Sequence, residues 1–426
     1  MTYFGKSFIA FSFVTLLTAP AYAQDTSKLQ PLPLELISTF TKVFETIKTY
    51  YVEEITDEEL LESAIHGMIG GLDPHSAFLN SRQMSDFEVE TSGKYGGLGI
   101  EITKENGGIR VVTPIDDSPA YEAGILPGDL IIQLDNSPVN RMTISDAVDV
   151  MRGKPGTDII LTILRTGVVQ PFDVTLTRAV IKIKSARSYL LEPKIGYLRI
   201  TQFQTSTPEV VRSEIQRMHE DSQALEGLVV DLRNNPGGEL RSAVGISDLF
   251  IEGGVIVTTK DRNGAIDQEY LATPGDIVHG APVVVLVNEG SASASEIVAG
   301  ALQDHARAVI MGKNTFGKAS VQTLLPISQS AALKLTTHRY YTPNDRSIQS
   351  DGIVPDIEVD RIELPEQAQQ PSVMREENLA GVIEKEESSE GSPARPESFT
   401  YQGADYQLQQ ALNLLKALQI TQPTDG

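Results

Sequence analysis

The chain has 426 residues, 40% of them hydrophobic, and a formal net charge of −22. That length implies two or three domains with sizeable cores, and so negative a chain without a basic run excludes nucleic acid as a partner. The absence of cysteine excludes thiol catalysis and thiolate metal sites.

The first stretch, MTYFGKSFIAFSFVTLLTAPAYAQ, has a positive start at Lys6, an apolar run, and Ala21-Tyr22-Ala23 in the A-x-A pattern. It predicts a signal peptide over residues 1–23, cut after Ala23, and export to the periplasm. Left uncleaved, the run would hold the chain at the inner membrane. Residues 24–94 are expected to form a short linker and a helical region. LELISTFTKVFETIKTYY and DEELLESAIHGMIGGL carry apolar residues at helical spacing, with Asp57 as an N-cap for the second.

From Tyr95 to Ile181 the pattern changes to short strands. GGLGIEITKENGGIRVVTPI contains two alternating runs split by Asn106-Gly107-Gly108, a hairpin signal. Residues 182–360 then alternate strand and helix. GLVVDLR, PVVVLV and RAVIMG are buried strands, while PEVVRSEIQRMHE, ELRSAVGISDLFI and SEIVAGALQDH are helical. Such alternation predicts an α/β core on a mixed, mostly parallel sheet with flanking helices. Residues 361–426 are an acidic, polar linker ending in a leucine-bearing helix, DYQLQQALNLLKALQI. That helix can dock on its own core or on a partner.

Several enzyme motifs are missing. There is no H-E-x-x-H and no G-x-S-x-G, and the six histidines have no metal-ligand spacing. GKNTFGKAS, Gly312 to Ser320, nearly matches a phosphate-binding loop. However, Ala319 replaces the magnesium-binding hydroxyl, and strand-like SVQTLLPI follows where a helix is needed.

The stretch NEGSASASEI is more informative. Three serines alternate with alanine between a buried strand and a helix. The first N–H groups of that helix point at whatever lies beyond the strand, a setting that can hold an oxyanion. One serine could simply cap the helix, but a cap needs only one. A nucleophilic serine needs a base, and Lys318, in TFGKASV, is the candidate. To be neutral near pH 7, a lysine must fall about three units below its reference value, a cost of about 4 kcal/mol, and that requires burial. A second turn, DLRNNPGGEL, places Gly237-Gly238 after another buried strand. Its backbone N–H groups could supply the other half of an oxyanion hole, or the glycines could serve only the turn.

Together, LDPHSAFL, SGKYGGLGIEI, SPAYEAGILPGDLI, DLRNNPGG, GSASASEI, TFGKASVQ and RYYTPNDRSIQSDGIVPDI closely resemble the blocks of the carboxyl-terminal processing peptidases, or tail-specific proteases. The resemblance spans residues 34 to 358. It implies a core of the ClpP/crotonase type and a serine endopeptidase with a Ser/Lys dyad. Ser293 falls on the nucleophile, Lys318 on the general base and Gln322 on the residue that orients the lysine. The backbone of Ala294 and of Gly237-Gly238 falls on the oxyanion hole, and Asp304 on a supporting acidic position. Residues 95–181 resemble an inserted PDZ domain whose carboxylate-binding loop is Gly97-Leu98-Gly99-Ile100, with Arg165 as a contact coupling this domain to the protease. Substrates would then be proteins with apolar C-termini, captured by strand addition. No metal or nucleotide cofactor is implied. The family motif usually reads F-G-K-G, and Ala319 departs from it. Two alternatives stay open. One is a catalytically silent PDZ-type scaffold. The other is a protease resting closed until an adaptor, or a second copy meeting its terminal helices, opens it.

Overall fold

The computed structural model describes residues 33–105, 107–362 and 405–421. The expected signal peptide, the linker up to residue 32 and the polar stretch 363–404 lie outside the described residues. The chain forms two compact units, Met1–Met68 and Ile69–Gly426.

The first unit contributes α1 (Leu34–Tyr50) and most of α2 (Asp57–Gly70). No residue of α1 is buried. The N-cap of α2 is Thr56 rather than Asp57. Thr56 Oγ1 accepts from the Glu59 N–H at 3.2 Å, and Glu59 Oε2 accepts from the Thr56 N–H at 2.9 Å. This capping box needs a hydroxyl three residues before a glutamate, which Asp57 does not offer.

The second unit begins with a strand, Ala77–Leu79, and α3 (Ser81–Ser92). Asn80 and Gln83 form a capping box at the start of α3, and Gly93, at φ 67°, closes it. A β-rich insert follows. Its entry strand Lys94–Gly97 pairs with its exit strand Ala179–Lys182, with Tyr95 opposite Ile181. The insert therefore begins and ends at one ribbon. Inside it, the antiparallel sheet runs in the order Ile100–Glu105, Gly108–Pro114, Leu130–Leu134, Asp158–Leu164, Phe172–Thr177. The first two strands are the expected hairpin, whose Asn106 lies outside the described residues. Helices α4 (Pro119–Glu122) and α5 (Ile144–Met151) complete the insert. Its core, which includes Ile109, Ile131, Leu161 and Ile163, is separate from that of the rest of the unit.

The α/β part is built on a six-stranded sheet in the order Ala186–Glu192, Ile195–Ile200, Gly227–Asp231, Val283–Val287, Ala308–Gly312, Ile357–Glu358. Only the first pair is antiparallel. GLVVD and VVVLV are buried at every position because both faces of the sheet are covered. Alternate side chains go to opposite faces. Leu228, Val230, Val283 and Val285 pack in the core that holds residues of α6 (Thr207–Ser222), α7 (Leu240–Asp248) and α8 (Ala294–Asp304). Val229, Val284, Leu286 and Met311 pack with α9 (Tyr406–Thr421). The terminal helix therefore docks on its own core. Its buried leucines Leu408, Leu412 and Leu415 each contribute at most about 2 kcal/mol.

A second, antiparallel sheet follows the order Ala77–Leu79, Ala332–Tyr341, Gly254–Lys260, Ile266–Ala272, and Ser320–Pro326 also pairs with Ala332–Tyr341. It brings the strand that follows Lys318 beside the carboxyl ends of the parallel strands. That is where α/β sheets hold their ligands.

Candidate active site

The turn before α8 explains its three serines. Ser291 is buried, and its Oγ donates to the Leu232 carbonyl at 2.8 Å. Ser295 is buried too, and its Oγ donates to the Asn235 carbonyl at 2.9 Å. The Ala292 N–H also donates to Asn235, at 3.0 Å. These bonds join the serine turn to the DLRNNPGG turn. Ser293 differs. Its side chain holds the capping-box position of α8 with Glu296, and it lines a cleft of about 680 Å³. Its backbone sits at φ 56°, ψ −112°, a conformation that costs a non-glycine residue about 1–3 kcal/mol and persists only where surroundings enforce it.

The same cleft is lined by Lys318, Gln322, Gly238, Tyr340 and, from α3, Phe87, Glu90 and Thr91. Lys318 Nζ donates to Gln322 Oε1 at 2.9 Å. Burial, and then the nearby Lys334, lower the Lys318 pKa below the ordinary lysine value. Glu296, Asp73 and Glu90 pull the other way. No hydrogen bond joins Ser293 Oγ to Lys318 Nζ among the described residues.

Two groups that sequence reasoning missed hold this pair. Glu296 is fully buried in the first turn of α8. Its Oε2 accepts from the N–H of Ser293 at 2.7 Å and of Lys318 at 2.9 Å, and its Oε1 from Thr315 Oγ1 and the Gly317 N–H, both at 2.6 Å. Burial raises its pKa, against these four donors, which favour the ionised form. The signal for Glu296 was present, since Ser293 and Glu296 have the S-x-x-E spacing of a capping box. Tyr340 is buried, and its hydroxyl lies 3.0 Å from the Ser293 carbonyl and 2.5 Å from that of Lys318. No local pattern marks it.

The oxyanion candidates divide. The Gly237 N–H is committed to Asn235 Oδ1 at 2.9 Å, so Gly237 offers no free donor, contrary to expectation. It is needed for close approach, because a Cβ there would lie 2.7 Å from the Ala292 carbonyl oxygen. The N–H groups of Gly238 and Ala294 have no partner among the described residues. They suit an oxyanion held beside Ser293.

Ala319 does not disturb the site. It is buried, outside the left-handed region, and its N–H donates to Gln349 Oε1 at 2.9 Å. The left-handed residue in this motif is Gly317, at φ 87°. A strand, Ser320–Pro326, follows Lys318, so the segment is not a phosphate loop.

Asp304 ends α8, about 16.5 Å along the helix axis from Ser293. It accepts from the Asn344 N–H at 2.9 Å and pairs with Arg346, so it holds the loop after Tyr341 rather than the cleft. In the insert, Gly97 lies in the ribbon, Leu98 is buried and Ile100 opens the edge strand Ile100–Glu105. Gly99 has φ 74°, and its carbonyl accepts from the Ile115 N–H at 2.8 Å. The N–H groups of Leu98 and Gly99 have no partner among the described residues. Arg165, expected to contact the protease core, is committed within the insert. It forms two 2.7 Å bonds to the buried Asp129 and one of 2.8 Å to the Gly124 carbonyl. The insert and the cleft meet instead at α3, where Arg82 pairs with Asp149 and Asp86 with Arg152, both at 2.8 Å.

A larger hollow of about 970 Å³ lies at the other end of the sheet, by Val283 and Ala308. Its Arg307 is bound to Asp276 and two carbonyls, and no serine or lysine lines it.

Peptidase family S41 matches residues 194–359, a PDZ domain matches 110–165, and the N-terminal domain of the activating protease CtpB matches 2–83. The carboxy-terminal-processing protease of Bartonella bacilliformis is 44% identical, over 89% of this chain and 88% of its own. The carboxy-terminal processing protease CtpA of Bacillus subtilis is 34% identical, over 78% of this chain and 70% of its own. The solved photosystem II D1 C-terminal processing protease is 31% identical with a TM-score of 0.45, over 74% of this chain and 86% of its own. The chain is a serine peptidase of family S41 and belongs to the carboxy-terminal processing proteases.

Proposed function

We propose that this protease is exported to the periplasm and cleaves proteins selected by apolar C-terminal tails, through a Ser293/Lys318 acyl-enzyme. The observation that carries the mechanism is the strained Ser293 in one cleft with a desolvated lysine bound to Gln322. Neutral Lys318 takes the Ser293 proton, and Ser293 attacks the scissile carbonyl. The N–H groups of Gly238 and Ala294 receive the oxyanion. Lys318 then protonates the leaving amine, and water hydrolyses the ester. The edge strand Ile100–Glu105 and the free N–H groups beside it suit strand addition of a tail and capture of its carboxylate. Export is supported by the apolar run and by Ala21-Tyr22-Ala23.

One observation favours a resting, closed enzyme, since Lys318 Nζ is bonded to Gln322 and not to Ser293. A bound tail, an adaptor or a second copy would then close the gap. The ion pairs between α3 and the insert support a route through α3, and the unburied α1 supports a partner contact.

The test incubates residues 24–426 with an unstructured protein ending in apolar residues, beside Ser293→Ala and Lys318→Ala, with fragments identified by mass spectrometry. Cleavage by the wild type alone is expected. Equal cleavage by all three would overturn the dyad.

A further inference from the structure

A line of polar side chains runs away from Lys318 into a part of the chain that no mechanism above uses. Gln322 and Thr336 are opposite one another on paired strands. Gln322 Nε2 donates to Thr336 Oγ1 at 3.1 Å and to Ser320 Oγ at 3.0 Å. Thr336 Oγ1 donates to Asp73 Oδ1 at 3.2 Å. Asp73 also accepts from Ser76 Oγ at 2.7 Å and from the N–H groups of His75 and Ser76, both at 2.8 Å.

We propose that Asp73 and Thr336 are positioning residues for the peptidase reaction, fixing the Gln322 amide with its oxygen toward Lys318 so that the lysine lone pair stays free for the Ser293 proton. The proposal rests on the Ser/Lys mechanism above.

The direction of this chain of bonds is forced link by link. Burial alone would raise the Asp73 pKa, but hydrogen bonds from Ser76, His75 and Thr336 outweigh it and keep the carboxyl below its ordinary value. An ionised carboxylate only accepts, so the single Thr336 proton goes to Asp73. Thr336 Oγ1 must then accept, and the Gln322 NH2 supplies the proton. The other NH2 proton goes to Ser320, which leaves Oε1 alone to meet Lys318.

The consequence lies in the valence of a neutral amine, which has two N–H bonds and one lone pair. Giving an N–H to Gln322 Oε1 leaves the lone pair unused. If the amide turned over, its NH2 would donate into that lone pair and the base would be blocked. The torsion that turns a terminal amide is broad and roughly two-fold, so without Thr336 and Asp73 both orientations are open.

The test compares kcat, KM and the pH dependence of kcat/KM for Thr336→Val, Thr336→Ser and Asp73→Asn, with Ser293→Ala and Lys318→Ala as controls. All are made in residues 24–426 and assayed on a peptide spanning a site the wild type cleaves. Thr336→Val should lower kcat about tenfold, the size of one lost net hydrogen bond, with KM unchanged. Thr336→Ser, which keeps the hydroxyl, should restore it. Asp73→Asn should lower kcat as well. Of the groups acting on Lys318, Asp73, Glu296 and Glu90 favour its charged form and Lys334 opposes it. Removing the Asp73 charge therefore moves the acid limb to lower pH. Asp73→Asn carries the test alone should Thr336→Val not fold. Wild-type kcat and pH profile in both variants, with both controls inactive, would overturn this proposal and leave the dyad standing. So would a loss confined to KM or to thermal stability. Activity in either control would overturn the dyad first.

Discussion

Replacing Glu296 with glutamine tests how the site is held together. Glutamine has the same shape but exchanges one acceptor oxygen for an NH2. Turned toward Ser293 and Lys318, the NH2 would face two backbone N–H donors. Turned toward Thr315 and Gly317, it orphans the Gly317 N–H and takes the acceptor from the Thr315 hydroxyl proton, although the Thr315 oxygen, which already accepts from the Ile353 N–H, can accept from the NH2. The second arrangement is cheaper. One buried unsatisfied donor costs about 1–3 kcal/mol, and the bonds that remain lose their charge assistance. A loss of about 3 kcal/mol follows, measurable as a lower urea midpoint. The Gly317–Lys318 backbone should also shift, and a displacement approaching 1 Å can cost about a hundredfold in kcat. The pH dependence gives a further check. Burial raises the folded-state pKa of Glu296, so the folded chain binds the extra proton. Its contribution to stability is largest below the ordinary glutamate pKa and declines as pH rises through the raised value. That decline should vanish in Glu296→Gln. A variant with the wild-type midpoint, kcat and pH dependence would refute the role given to Glu296.

Lys334→Gln removes the cation that, after burial, most lowers the Lys318 pKa. The Lys318 pKa should rise and the acid limb of kcat/KM move to higher pH; an unmoved limb would show that Lys334 does not act on the base. Arg165→Ala strands a buried carboxylate at Asp129. It should cost the insert about 3 kcal/mol in urea unfolding, and an unchanged midpoint would contradict the pairing. Ala319→Gly restores the usual family residue at a position that needs no left-handed backbone. Stability should fall by about 1 kcal/mol, with kcat preserved. A gain in kcat would mean that the extra methyl does obstruct the base.

The parts of this fold legible in the sequence are those fixed by local patterns. GLVVD and VVVLV announce buried parallel strands, because a strand covered on both faces is apolar throughout. The glycine turns announce themselves because left-handed or crowded backbone excludes a Cβ. The segment 252–281 gave no such pattern. Its strands Gly254–Lys260 and Ile266–Ala272 belong to the antiparallel sheet, and the second is largely exposed, so only the tertiary pairing defines it. In the site, Ser293 and Lys318 are marked by small neighbours in a narrow segment. Glu296 was marked only as a capping residue. Thr336 and Asp73 are 263 positions apart, and no local rule links them. Arg165 illustrates the opposite error: an arginine suggested as an outward contact was needed to neutralise a buried aspartate of its own domain.

The clamp on Ser293 and Lys318 also constrains how the enzyme can be switched. Glu296 takes the N–H groups of both residues, and the Tyr340 hydroxyl faces both carbonyls. The backbones of the proposed nucleophile and base are thus pinned from two sides, and the strain at Ser293 is held there by buried partners. Neither side chain is pinned in the same way. Ser293 lines the cleft from the capping position of α8, and Lys318 Nζ is bonded to another side chain. In the proposed mechanism, Oγ and Nζ would therefore meet by rotation of side chains over a fixed backbone. In the resting-enzyme reading, a signal from the insert need not rebuild the turns. It has only to shift the wall of the cleft, and α3 is placed to do this, with Arg82 and Asp86 on the insert and Phe87, Glu90 and Thr91 on the cleft.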